Sequence, residues 1–223
     1  MMKKIDTVIF DMDGTVLNTL EDLTISVNYT LRHFGMPERS MEEYRRFFGS
    51  GIKYALQRAV PEGTADALIE EMLPVFKKHY DKHCLDHTKP YEGVQALMKQ
   101  LKERGYKLAI VSNKIDSAVK ELNEKFFSEY VSAAIGERNG VRRKPAPDTV
   151  LQALRELDSS ETTAVYVGDS EVDFQTAVNA GIPCISVLWG FRDRGDLERE
   201  GAVMFADTPQ QVLDRLLEMA EDD

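Results

Sequence analysis

Residues 5–15 read IDTVIFDMDGT. The first six form a short, β-branched apolar run of the length of a buried strand. It stops at two carboxylates spaced two apart, Asp11 and Asp13, with Gly14 and Thr15 as the turn. Three later stretches have the same form: residues 107–111 (KLAIV) stop at Ser112-Asn113, residues 163–167 (TAVYV) stop at Gly168-Asp169, and residues 184–188 (CISVL) complete the set. Between them, Val94, Leu97, Met98 and Leu101 recur at helical spacing and end at Gly105. Val150, Leu151, Leu154 and Leu157 form a second stripe. Thr208-Pro209-Gln210-Gln211 opens a last helix as a capping box with proline in its first turn. Strands alternating with helices predict an α/β core, a doubly wound parallel sheet covered on both faces.

Residues 16–88 read differently, with helical stripes and no strand. Leu20, Leu23, Val27, Leu31 and Phe34 mark one helix between Thr19 and Gly35, and further helices are expected at 41–48, 52–60 and 64–79. The expected organisation is therefore a core of residues 1–15 and 89–223 with a small helical cap domain, residues 16–88, inserted after the first strand. Sites in open α/β sheets lie beyond the carboxyl ends of the strands, so the insert would cover the site as a lid.

The chain of 223 residues carries 28 Lys and Arg against 38 Asp and Glu, a net charge of −10, which opposes nonspecific nucleic-acid binding. A hydrophobic share of 43% suits a globular core. No apolar run reaches the roughly 20 residues needed to span a bilayer. Asp6 and Asp11 interrupt the first apolar stretch, so the start does not read as a signal peptide. Cys84 and Cys184 supply no disulfide framework, and the expected compartment is the reducing cytoplasm. The acidic end, EDD, is expected to fray.

The polar residues at the strand ends form a coherent chemical set. Parallel strands bring Asp11, Asp13, Ser112, Asn113, Asp169 and Asp173 to one edge, and Lys144, in RRKPAPD, lies ahead of the helix carrying Val150. Several carboxylates in one pocket shift toward protonation unless a cation joins them. Mg²⁺ fits, because it takes oxygen ligands and binds through a few carboxylates and substrate phosphate. Ser112, Asn113 and Lys144 suit a phosphoryl group. An aspartate can attack phosphorus, and a second carboxylate two residues on can protonate the leaving oxygen.

The segments D11-M-D13-G14-T15, S112-N113, K144-P145-A-P147-D148 and G168-D169-S170-E-V-D173 resemble, in order, the four motifs of the haloacid dehalogenase superfamily. DGTVLNTLEDL, Asn28 in the next helix and FFGSGIKYAL resemble its phosphoglycolate phosphatase branch. The resemblance implies Asp11 as nucleophile and Mg²⁺ ligand, and Asp13 as acid and base with its backbone carbonyl on the metal. Ser112 and Asn113 would hold the phosphoryl group, and Lys144 would neutralise charge on it and on Asp11. Asp169 would be a metal ligand and Asp173 a ligand or its supporting partner. Gly14 would permit the turn and Thr15 would brace it. Asn18 stands where relatives often carry Asp, outside the catalytic set. The implied partner is a small phosphorylated metabolite, with neither nucleic acid nor membrane, and the implied assembly is a monomer or homodimer.

Each residue also has a plainer reading. Asp11 and Asp13 alone make a polar turn, Ser112 and Asn113 alone cap a helix, Lys144 alone is a surface lysine, and Asp173 alone complements a helix dipole. Four motifs in register outweigh these. His79, His83 and His87 recur every four residues, but no acidic partner completes a zinc pattern. Gly49-Ser50-Gly51 completes no nucleotide loop. This loop would instead approach the site, with Lys53, or Arg45 or Arg46, pairing with an anionic part of the substrate such as a carboxylate. Trp189 reads as packing.

Related sugar-phosphate mutases carry a histidine soon after DxDG, and NTLEDLTIS has none. Related pyrophosphatases carry proline where Gly49-Ser50-Gly51 stands. Phosphoacceptor signalling modules are shorter and lack the second aspartate. Intact motifs argue against a non-catalytic binding protein, and a halide leaving group needs no acid at Asp13.

Overall fold

The computed structural model describes residues 4–221. The end of the acidic tail and residues 1–3 lie outside the described residues. In chain order the elements are β1 (Thr7–Phe10), β2 (Leu17–Asn18), α1 (Leu20–His33), α2 (Met41–Phe47), α3 (Ile52–Ala59), α4 (Asp66–His83), β3 (Lys89–Pro90), α5 (Val94–Glu103), β4 (Lys107–Ile115) and α6 (Asp116–Phe126). They continue with β5 (Ala133–Glu137), α7 (Asp148–Glu156), β6 (Ala164–Gly168), α8 (Glu171–Ala180), β7 (Cys184–Val187), α9 (Arg194–Arg199), β8 (Phe205–Ala206) and α10 (Pro209–Glu221).

The main sheet has the order β5-β4-β1-β6-β7-β8, with every neighbouring pair parallel. All four residues of β1 are buried, because helices cover both faces of a parallel sheet. Strand alternation divides the apolar residues between two layers. Val8, Phe10, Ile110 and Val167 pack against α5, α6 and α10, while Ile9, Val111 and Tyr166 pack against α7 and α8. From β1 the chain builds the sheet first toward β4 and β5, then on the other side through β6, β7 and β8. Asp11, at the end of β1, therefore lies at the reversal of strand order, where open α/β sheets bind ligands.

Helices α1 to α4 have their own core, which includes Val27, Leu31, Tyr44, Leu56, Ile69, Met72 and Phe76. Phe191 enters that core from the loop after β7. The chain enters this helical block through β2 and leaves through β3, and the two pair antiparallel, Leu17 with Pro90 and Asn18 with Lys89. The buried Asp22 carboxylate accepts the backbone N–H of His87 and of Thr88 at 2.8–3.1 Å, which fastens the exit to α1.

Several boundaries differ from expectation. The ladder begins at Thr7, with Ile5 packed in the core just before it. β4 runs four residues past Val111, with a register shift between Val111 and Ile115. α4 starts at Asp66, because the Thr64 hydroxyl closes a turn on the Pro61 carbonyl, and it continues to His83. Thr208 Oγ1 accepts the Gln211 N–H as predicted, but Gln211 Oε1 accepts the N–H of Asp207, one residue before the cap. β5 (AAIGE) has no clear period and is not among the expected strands, and α6 is not among the expected helices although Val119, Leu122 and Phe126 recur at helical spacing. Among the described residues no helix is long and apolar enough to cross a membrane.

Candidate active site

A cavity of about 710 Å³ lies between the carboxyl edge of the sheet and the helical block. Asp11, Asp13, Ser112, Asn113 and Lys114 line its floor, and Leu23, Phe48, Gly49, Ile52, Phe76 and Tyr80 line its roof. Asp11 is there because its backbone N–H continues the β1–β6 ladder onto the Val167 carbonyl at 2.9 Å. Gly14 turns the chain back at φ +90°, and a Cβ at that position would overlap the Asp169 carboxylate. The turn brings Thr15 Oγ1 to 3.0 Å from Asp169 Oδ1, so Thr15 holds Asp169.

Lys144 is buried, and its Nζ donates to Asp11 Oδ1 at 2.6 Å, Asp173 Oδ1 at 2.6 Å and the Tyr166 hydroxyl at 3.1 Å. Tyr166 in turn donates to Asp173 Oδ1 at 2.9 Å. Asp173 Oδ2 accepts from Ser170 Oγ at 2.5 Å and from Ser170 N at 3.1 Å, as part of the capping box that starts α8. Both Asp173 oxygens are therefore engaged within the protein. Burial alone would push the Lys144 ammonium down, but Asp11 and Asp173 outweigh it and hold it above the ordinary lysine range.

Ligand atoms of Asp11, Asp169 and Asp173 all lie within 4.8 Å of one another. Burial first, and the charge of Asp173 second, push Asp11 well above the usual carboxylate range, against the pull of Lys144. The same two causes push Asp169 up to about 7, against the Phe191 N–H and the Thr15 hydroxyl. Two of the three buried carboxylates, Asp11 and Asp173, share the Lys144 ammonium, and Asp11 and Asp169 are driven toward their neutral form. Such a set of hard oxygen donors suits a divalent cation, which would restore the ionised state.

The remaining predicted residues divide. Ser112 is buried at the cavity floor, and its Oγ accepts the Lys114 N–H at 3.1 Å. Asn113 lies beside it, but its amide is turned to the backbone of Lys144 and to the Gly49 carbonyl, so it positions Lys144 through direct hydrogen bonds. Lys53 stays away from the cavity: it lies on the exposed side of α3 and pairs with Glu70 of α4, which corrects its expected place at the site. Arg45 donates to the Gly190 carbonyl at 2.9 Å, and Arg46 lines a separate depression beside Arg192 and Asp193. His79 stacks between Tyr29 and His83, while His83 faces Asp86 and His87 faces Glu21. Trp189 packs on Tyr91 and donates to the Thr15 carbonyl at 3.0 Å.

Residues not singled out in the sequence complete the site. Lys114 Nζ lies 3.2 Å from Asp13 Oδ1 and donates to the Tyr80 hydroxyl at 2.7 Å. Tyr166 is marked only by the need of a buried phenol for a partner. The Phe191 N–H, which donates to Asp169 Oδ2 at 2.6 Å, leaves no trace in residue type.

The haloacid dehalogenase-like hydrolase profile matches residues 8–187, a span that includes Asp11, Asp13, Ser112, Asn113, Lys144, Asp169 and Asp173. The chain belongs to that family. The hydrolase is 30% identical over 185 residues to the phosphoglycolate phosphatase of Aquifex aeolicus, covering 82% of this chain and 85% of that one. It is 32% identical over 212 residues to PpaX of Caldanaerobacter subterraneus, named as a candidate pyrophosphatase, covering 94% of each. A crystal structure from Lactobacillus delbrueckii, described as a candidate phosphoglycolate phosphatase, superposes on the hydrolase with a TM-score of 0.91 at 36% identity. That superposition covers 96% of this chain and 99% of the other.

Proposed function

We propose that the protein is a Mg²⁺-dependent phosphatase that hydrolyses a small phosphate monoester through an aspartyl-phosphate on Asp11, with phosphoglycolate as the first candidate substrate. The observation that carries this reading is the pairing of Asp11 with Lys144 at 2.6 Å, on the floor of a cavity that Asp13 also lines. The names of relatives at about 30% identity support the substrate class. In this reading α1 to α4 act as a cap over the cavity, and the β2–β3 pair is the place where it would hinge.

The chemistry follows from the roles of the side chains. A carboxylate oxygen of Asp11 attacks phosphorus as the bond to the ester oxygen breaks. Asp13 gives its proton to the departing oxygen, then takes one from the water that attacks the phospho-aspartate, releasing phosphate and restoring Asp11. Lys144 offsets charge on Asp11 and on the transferring group, and Ser112 offers a hydroxyl to it. Asp11 and Asp169, with the Asp13 carbonyl as a further donor, would hold Mg²⁺, and Asp173, whose oxygens go to Lys144, Tyr166 and Ser170, would support them through Lys144. When bound, the ion supplies positive charge that keeps Asp11 ionised and orients the phosphoryl oxygens.

The test is phosphate release with and without Mg²⁺ from phosphoglycolate, pyrophosphate, hexose phosphates, nucleoside monophosphates and an aryl phosphate, beside Asp11→Ala. The reading expects Mg²⁺-dependent release that the substitution abolishes, with phosphoglycolate highest in kcat/KM. Release from no ester by folded protein would overturn it. A second reading, pyrophosphate hydrolysis, is favoured by the similarity to PpaX across 94% of both chains, and pyrophosphate would then rank first.

A further inference from the structure

The cavity floor carries a cation to which the mechanism above gives no task. Lys114 extends from β4, and its side chain is only 6% exposed. Its ammonium has three donors. One goes to the Tyr80 hydroxyl at 2.7 Å, and Nζ stands 3.2 Å from Asp13 Oδ1 without hydrogen-bond geometry. Tyr80, from α4, also places its ring 4.5 Å from Nζ, and among the described residues no acceptor takes the Tyr80 O–H. An ammonium and a phenol hydroxyl therefore meet at the cavity wall, one on the sheet edge and the other on the helical block, both with donors to offer.

Other cations that line the cavity pair with carboxylates away from Asp13 or are exposed, and of these Arg143 keeps one buried Nε without a partner among the described residues. Arg143 is bonded to Glu137 at 2.9 Å, Arg138 faces Asp116, and Lys77 is on the exposed surface of α4. Lys53, the cation expected to meet a substrate anion, is committed to Glu70.

We propose that Lys114, with Tyr80, is the specificity-determining pair, and that it binds a carboxylate borne on the carbon next to the ester oxygen of the leaving group. This inference rests on the phosphatase reading. Distance sets the placement. Asp13 must come within about 3 Å of the ester oxygen to protonate it, and Lys114 Nζ is 3.2 Å from Asp13 Oδ1. The ammonium is then within about 6 Å of the ester oxygen, the reach of an ion pair to a carboxylate one carbon away. Longer leaving groups would carry their anion past Lys114, and neutral ones would leave a buried charge without its ligand.

The experiment compares phosphoglycolate with 2-hydroxyethyl phosphate, which has the same chain length and a neutral CH₂OH in place of the carboxylate. Wild type, Lys114→Met, Lys114→Arg and Tyr80→Phe are measured with Mg²⁺, and the quantity read is the ratio of kcat/KM for the two esters. A general loss at Asp13, or in folding, affects both esters and cancels in that ratio. Wild type is expected to favour phosphoglycolate at least about tenfold. Lys114→Met should lower the ratio by about tenfold, mainly through KM for phosphoglycolate, with Lys114→Arg retaining part of it and Tyr80→Phe losing a few-fold. Where Lys114→Met cleaves neither ester, the other two variants carry the same reading. Unchanged ratios in the variants, with both esters cleaved, overturn the inference and leave the phosphatase reading intact. Release by wild type from neither ester overturns the inference, and release from no ester of the wider panel overturns the phosphatase reading as well.

Discussion

Asn113 holds both backbone polar groups of Lys144, with Oδ1 accepting the Lys144 N–H at 2.7 Å and Nδ2 donating to its carbonyl at 3.1 Å. The two residues are 31 apart in sequence, and this amide pairing fixes where the Lys144 side chain starts. Asn113→Ala would leave a buried N–H and C=O without partners. We expect a loss of about 1–3 kcal/mol in unfolding free energy and about a hundredfold in kcat/KM as Lys144 shifts from Asp11. Denaturant melts and steady-state kinetics read the two effects. Wild-type kinetics in a destabilised variant would show that the pairing does not set the lysine.

Asp169 and Asp173 are both buried acids, yet their surroundings assign them different work. Asp173 gives one oxygen to Lys144 and Tyr166 and the other to Ser170, whereas Asp169 is held only by the Thr15 hydroxyl and the Phe191 N–H. Asp169→Asn should raise the Mg²⁺ concentration for half-maximal activity at least about tenfold. Asp173→Asn should mainly lower kcat, by about a hundredfold, because Lys144 loses a counter-charge. A titration of activity against Mg²⁺ for each variant separates them, and equal shifts in half-saturation would contradict the division.

Stability should depend on pH in a direction set by Asp169. Its ordinary value is 3.8, and in the metal-free fold it is pushed up to about 7. Between those values the folded chain keeps a proton that the unfolded chain has lost, so the folded state binds more protons and stability falls as pH rises. The slope for one such group is at most about 1.4 kcal/mol per pH unit. Metal-free protein should therefore melt at lower temperature at pH 7 than at pH 5, and Mg²⁺ should raise Tm more at pH 7. Asp169→Asn should flatten the pH dependence. A metal-free Tm that climbs over this range would refute the argument.

The sheet edge was legible because chemistry and periodicity coincide there. Residues 5–10, 107–111 and 163–167 are apolar runs that end at polar residues, and the parallel ladder brings Asp11, Ser112 and Asp169 together. Lys144 was legible from its motif, although its place depends on Asn113, whose amide type does not announce a backbone partner. Lys53 was misplaced because a charge beside a glycine loop suggests a ligand, while the helix phase that turns it toward Glu70 depends on how α3 packs on α4. Lys114 was passed over because a lysine at the end of a strand usually signals solvent, whereas Tyr80, 34 residues away, and Asp13 of the first strand end enclose it.

Inside the helical block, Asn28 links three groups. Its Oδ1 accepts from the Tyr44 hydroxyl at 2.7 Å and the Arg39 N–H at 3.0 Å, and its Nδ2 donates to the Arg39 carbonyl at 2.9 Å. Asn28→Ala would strand all three and should cost about 3 kcal/mol. Tyr44→Phe removes only the hydroxyl, leaves Asn28 paired with Arg39, and should cost about 1 kcal/mol. Thermal unfolding measures both, and equal costs would show that the backbone bonds to Arg39 carry no weight.

Arg192 joins the sheet to the helical block from the core side. Nη1 donates to the Arg45 carbonyl at 2.7 Å and Nη2 to the Phe48 carbonyl at 3.0 Å, which satisfies carbonyls at the end of α2, while Glu171 accepts from Nε at 2.6 Å. Arg45 returns the contact to the Gly190 carbonyl, and Phe191 between them bonds Asp169 and packs beside Phe48. Three consecutive residues, 190–192, thus tie an acid of the candidate metal cluster to the segment that leads into Gly49 at the cavity roof. Arg192→Leu removes the fork and leaves Glu171 without its partner, so the roof should close less often over bound ester. The expected result is a KM raised about tenfold, with kcat changed less, since Asp11, Asp13 and Lys144 do not touch Arg192. Arg192→Lys should not restore KM, because one ammonium cannot span two carbonyls and a carboxylate as the planar fork does. Lowered kcat at constant KM would instead mean that the loop acts through Asp169 alone.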